Sequence, residues 1–319
     1  MISQRAVEAI ESSDTDELLR VIDGYCETSS WPVLLDLRAR CREALGRGKQ
    51  LWGVEEHIRY RLALEAPGEL AGPIVAEGES RFALGPLPEV AASTKTWDEL
   101  TPHIENGPAR RTTAAERVIR GDIIETEGLD LPGVIQDWEP AYQVATYESD
   151  RVEAPAPTIP TMTDADVPAE AETIIDTVSE EALSDLVLPW VEESNGRCDT
   201  ITASGDHLSA IRGMGLTRAR VGSLPTAEAL SWMAWAAASG GAHGRRRGAA
   251  TGRYLAWWVI SCLADLQWPE SPETIASAAN RLRWHWFDDG SPDIGWGLRL
   301  AVTDPEAKIS WAVSATDLD

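Results

Sequence analysis

Near the carboxyl end, three consecutive segments alternate strictly between apolar and polar residues. In "RLRWHWF", Leu282, Trp284 and Trp286 share one face while Arg281, Arg283 and His285 take the other. "IGWGLRLAV" aligns Ile294, Trp296, Leu298, Leu300 and Val302, and "KISWAVSAT" aligns Ile309, Trp311, Val313 and Ala315. A period of two fits a strand with one buried face and does not fit a helix. The short acidic connections "DDGSPD" and "TDPEA" carry turn residues. The pattern therefore predicts a three-stranded antiparallel meander whose Trp face must be covered.

The cover is legible upstream. "AEALSWMAWAAAS" and "YLAWWVISCLADL" are apolar nearly all round and read as buried helices, the first capped by Thr226. "SPETIASAANRL" has Ser271 at the cap and Pro272 at the first helical position, a helix start. Further back, "CDTITAS" and "LTRARVG" read as strands, and "GDHLSAIRGMG" reads as a short helix capped by Asp206. Buried helices packed on a meander make an α+β domain, placed at residues 176–319.

Residues 1–157 form a second, helix-rich acidic region with a few short strands. The first 66 residues show four amphipathic segments divided by Ser, Asp and Gly, with Asp14 or Thr15 as one cap and Pro32 in a first turn. "PGELAGPIVAEGESRFALGPLPEV" is punctuated by Gly and Pro, and its short apolar runs read as strands. Thr96 and Glu99 have capping-box spacing, and 141–147 reads as one strand. Residues 158–175 are rich in Pro, Ala and acid and read as a linker or long loop.

Charge sorts the function classes. The formal net charge is −24, and only Lys49, Lys95 and Lys308 among 28 cationic residues are lysine. Residues 152–196 hold 11 acids and no cation, whereas 197–260 hold eight arginines against Asp199, Asp206 and Glu228. Such an excess of acid disfavours nucleic acid, whose phosphates are bound by cations. The amino terminus has no continuous apolar stretch of the signal-peptide kind. The apolar run at 254–266 contains Asp265 and is too short for a bilayer core of about 30 Å. The expectation is a soluble cytoplasmic protein without membrane association. Cys26, Cys41, Cys198 and Cys262 stand far apart, and the five histidines show no ligand spacing, so neither a disulfide framework, a metal nor a cofactor is expected.

The centre of the basic region is "SGGAHGRRRGAATGR", residues 239–253, between the two buried helices. It fits no phosphate-loop or dinucleotide fingerprint. Gly240, Gly241 and Gly244 permit a tight interhelical corner, and a second helix starting near Gly244 would carry Arg245, Arg246 and Arg247 in its first turn. Cations there oppose the helix dipole by about 0.3–1 kcal/mol each, so a counter-charge is expected. It would come from the chain's own carboxylates or from an anionic ligand held by Arg245, Arg246, Arg247 and Arg253 with His243 beside them. Trp257 and Trp258 diverge by about 100° on a helix, so one of them is a pocket-wall candidate. His285 with Asp288 and Asp289 is a weaker metal or acid–base candidate, because Asp-Asp-Gly is ordinary turn chemistry. No catalytic nucleophile or base stands out. The leading expectation is a non-enzymatic binding or regulatory protein with a basic partner. The alternative is an enzyme or sensor for a phosphorylated or other anionic small molecule, and a nucleic-acid role ranks third.

Overall fold

In the computed structural model, residues 2–78, 83–125, 127–290 and 294–318 are described. The chain folds as two units, Met1–Glu127 with Thr146–Glu153, and Gly128–Ala145 with Ala154–Asp319.

The first unit is built from helices: α1 (Gln4–Ser12), α2 (Thr15–Glu27), α3 (Trp31–Gly46), α4 (Trp52–Glu65), α5 (Gly68–Ala76), α6 (Leu87–Thr94), α7 (Trp97–Leu100) and α8 (Pro108–Ile119). Asp14 caps α2 by accepting the Glu17 amide, and the Thr96–Glu99 capping box opens α7. Leu18 and Ile22, Leu34 and Leu37, and Val54 and Ile58 are buried at helical spacing and supply the core. Arginines buried with them are matched by carboxylates: Arg38 bonds Glu55 and Glu77, and Arg61 bonds Glu65 and Asp23. A two-stranded pair, β1 (Thr146–Tyr147) and β2 (Val152–Glu153), completes the unit, and Tyr147 donates to the buried Glu89 at 2.6 Å.

One expectation fails here. The Gly- and Pro-punctuated segment from residue 67 forms α5 and α6 where strands were expected; its residues 79–82 lie outside the described residues. Ala71, Ile74 and Val75 still bury one helical face, and Pro73 sits within the helix. Pro86 and Pro67 stand at N-caps, so punctuation marks helix starts instead of strand ends. The expected strand at 141–147 shrinks to β1, its last two residues.

The second unit is α+β, as expected, but among the described residues its sheet has seven strands where a three-stranded meander was predicted. They are β3 (Thr163–Ala165), β4 (Thr173–Ile174), β5 (Arg197–Ser204), β6 (Ala219–Leu224), β7 (Arg283–Asp288), β8 (Trp296–Asp304) and β9 (Ile309–Asp317), in the order β3-β6-β7-β8-β9-β5-β4. Every pairing is antiparallel. The meander β7-β8-β9 is the middle of the sheet; β6 extends one side and β5 the other. Both were recognisable as strands, but their pairing is set by contacts far apart in sequence. The span 158–175 contributes both edge strands. Residues 291–293 of the first meander turn lie outside the described residues.

Alternation places Trp284, Trp286, Leu300, Val302, Trp311 and Val313 on one face. Against them pack α9 (Thr177–Asp185), α12 (Thr226–Ala238), α13 (Ala249–Leu263) and α14 (Pro272–Arg281), while the five-residue α10 (Leu188–Glu192) adds the buried Trp190. α12 is buried at every position from Ala229 to Ala238. A tryptophan that hides about 150–250 Å² gains roughly 4–6 kcal/mol at about 25 cal/mol per Å², before entropy is deducted. The opposite face, with Phe287, Ala301 and Ala312, is covered by α11 (His207–Gly213) through Ala210 and Ile211. No helix among the described residues is long and apolar enough to cross a membrane.

Candidate functional site

The corner between α12 and α13 holds the arginines singled out above. α12 ends at Ser239, whose hydroxyl accepts the Trp190 indole N–H at 2.8 Å and donates to Ala236 O at 2.9 Å. A side chain at Gly240 would collide with Gly244 O, 2.0 Å from its Cβ, so the turn closes only with glycine. The turn is anchored by the buried Asp317 at the end of β9. One carboxylate oxygen accepts the Ala242 amide at 2.6 Å and the other accepts the Ser194 hydroxyl at 3.0 Å. The His243 amide in turn donates to Ser194 Oγ at 3.2 Å, and the His243 side chain is exposed.

Gly248, at φ +94°, is the N-cap, so α13 begins at Ala249 and not near Gly244. Arg245, Arg246 and Arg247 therefore precede the helix, and the expected opposition to its first turn does not arise. The positive φ at Gly248 moves the boundary, because the helix cannot run back through it.

The counter-charge comes largely from the chain. Arg247 is half-buried, and its guanidinium donates to Ala237 O at 2.8 Å, Asp185 O at 2.7 Å and Leu186 O at 3.0 Å. Those carbonyls end α12 and α9, where unpaired acceptors and the negative ends of two helix dipoles converge. Burial lowers the Arg247 pKa, and Asp185 and Glu193 oppose that shift. Arg245 lies at the surface; its amide donates to Glu193 Oε2 at 2.9 Å and its guanidinium pairs with the same carboxylate at 3.3 Å. The amide bond, with the pairing, holds Glu193 below its ordinary pKa. Arg246 is half-buried in the same turn.

Arg253 does not join them. Buried to 2 % exposure, it makes a two-pronged pair with Glu139, Nε to Oε2 and Nη2 to Oε1, both at 2.7 Å. Its remaining N–H groups donate to Pro132 O and Val134 O. Glu139 also accepts Trp257 Nε1–H at 3.0 Å, Tyr142 O–H at 2.6 Å and the Gln136 amide at 2.9 Å. Burial raises the Glu139 pKa, but the Arg253 hydrogen bonds and charge outweigh it and leave the group below its ordinary value. Trp257 is fully buried against Trp138, centroids 4.9 Å apart. Trp258 faces the other way, half-buried against Trp268 at 5.8 Å. The two indoles thus diverge as their spacing requires.

His285, Asp288 and Asp289 also part company. Asp289 pairs with Arg299 at 3.1 Å and accepts Ser314 at 2.9 Å, Asp288 accepts the Gly290 amide, and His285 stacks on His207. No group of three His, Cys, Asp or Glu side chains among the described residues is arranged to hold a metal. Glu139, Asp317 and Ser194 are polar residues that sequence reasoning passed over. Glu139 stands 114 positions from Arg253, and nothing local in "QDWEPAY" marks it as a buried carboxylate.

Over residues 16–319 the chain matches the model of a family described as being of unknown function. No curated protein and no solved structure matches it.

Proposed function

The chain belongs to that family, DUF6183, and we propose that it is a non-enzymatic binding or regulatory protein whose acidic surface selects a basic partner. The supporting observation is where the opposite charges lie. Arg247 and Arg253 are turned inward onto carbonyls and a carboxylate of the chain itself. Asp164, Asp166, Glu170, Glu172, Glu181 and Glu192 are exposed in a stretch, 152–196, that has no Lys or Arg. A field of this sign accelerates encounter with a cationic surface and repels nucleic acid.

The anionic-ligand alternative draws less from the geometry. An incoming phosphate would have to displace three carbonyls from Arg247 and Glu139 from Arg253, and each replaced bond was already charge-assisted. The reading is tested by stopped-flow association of an oligolysine peptide with the full chain at low and high salt. Because the Debye length falls from about 10 Å at 0.1 M to about 3 Å at 1 M, the on-rate should drop steeply. A flat on-rate, or equal binding of oligoglutamate, would overturn it.

A further inference from the structure

On the face of the sheet turned away from the tryptophans, His285 of β7 stacks on His207, the first residue of α11. The ring centroids are 3.6 Å apart and the planes differ by 10°. The Nδ1 atom of His285 is buried and has no hydrogen-bond partner among the described residues. A neutral imidazole tolerates that placement. An imidazolium does not, because its second N–H would lose water and find no acceptor.

The groups around the pair favour the neutral form. In the sheet, His285 lies beside Ser223 of β6 and Ala301 of β8, neither of them ionisable. Its own strand carries Arg283, which disfavours further positive charge. From the α11 side come His207 and the capping Asp206. The Asp206 carboxylate attracts a proton to the pair, but it is exposed and already accepts the Leu208 and Ser209 amides. Burial, then His207, outweigh Asp206 and push His285 down to about 4, and burial pushes His207 down as well.

We propose that the stacked histidines are an acid-sensitive latch: protonation of the pair releases α11 from the sheet and uncovers the apolar floor of Phe287, Ala301 and Ala312. Docked, His285 resists protonation; undocked, it would approach the ordinary imidazole value of about 6.5. The latch is therefore closed above the undocked value and opens progressively as pH falls toward the docked one. At about pH 5 this difference alone favours the undocked form by about thirtyfold.

Hydrogen–deuterium exchange on the full chain tests it, comparing about pH 7.5 with about pH 5 after correction for intrinsic exchange rates. Segment 207–213 should lose protection by about thirtyfold while α12 keeps its own, and His207→Phe/His285→Phe should abolish the difference. Equal protection of 207–213 at both pH values would overturn the latch, as would an undiminished loss in both single variants. A titration of the His285 imidazole by NMR in the unaltered protein gives a second reading that needs no variant. A midpoint well below 6.5 supports the latch, and one at or above 6.5 overturns it.

Discussion

Arg247 and Arg253 lie on either side of the start of α13, yet the two regions neutralise buried positive charge in different ways. Arg253 meets a carboxylate, Glu139, which is itself held by Trp257, Tyr142 and a backbone amide. Arg247 bonds main-chain carbonyls at the ends of two helices. A carboxylate concentrates a full charge in one side chain that mutation or acid can remove. Helix-end carbonyls spread partial charge over the backbone, and neither mutation nor pH takes it away. A cation in a protein core therefore does not by itself point to a missing anion.

The sharpest way to break this contrast is Glu139→Gln. It leaves Arg253 buried with its charge unmatched, and chemical denaturation should show a loss of about 3–5 kcal/mol. The acid dependence separates the two regions further. Glu139 has a folded pKa below its ordinary value, so its contribution is present above the unfolded pKa and is lost as pH falls through the folded one. The difference between wild type and Glu139→Gln should therefore shrink on acidification.

Arg247→Met removes a donor from three carbonyls while keeping most of the stem, at an expected cost of about 1–3 kcal/mol. That cost should change less over the same acid range, because its hydrogen bonds go to carbonyls, which do not titrate, and Asp185 and Glu193 act on it through charge alone. If it fell in parallel with Glu139→Gln, the charges of Asp185 and Glu193, and not the carbonyls, would carry the interaction. The smallest effect is expected for Arg245→Ala, whose exposed pair with Glu193 should contribute less than about 1 kcal/mol and weaken with salt.

How far the sequence carried differs from element to element. The meander was legible because alternation of Trp284 and Trp286, or of Trp311 and Val313, is a local signal. The breadth of the sheet was not: β5 and β6 read as strands, but joining them to β9 and β7 requires pairings such as Cys198 with Ala315. Strands of two or three residues in a Pro-rich stretch, β3 and β4, leave no periodicity to detect. The arginine corner was legible as a glycine-permitted turn between buried helices. Its partners were not, since helix-end carbonyls carry no residue signature and Asp317 lies 75 positions from Ala242. His285 stood out for its neighbours Asp288 and Asp289, whereas its ring contacts His207, brought in by a helix that only the folded sheet positions.

The shortness of β3 and β4 has a consequence for how the molecule behaves in a crowd. A sheet seven strands wide would otherwise offer a long row of unpaired N–H and C=O groups at each margin, a template for a neighbouring chain. Here the outermost strands span three and two residues, and the exposed Asp164 sits in the middle of one of them. On these two strands an incoming strand finds little backbone to zip onto, and on β3 a carboxylate in its way. The acidic, proline-rich span thus works against strand-to-strand stacking along β3 and β4 themselves, a consequence that the charge count alone would not reveal.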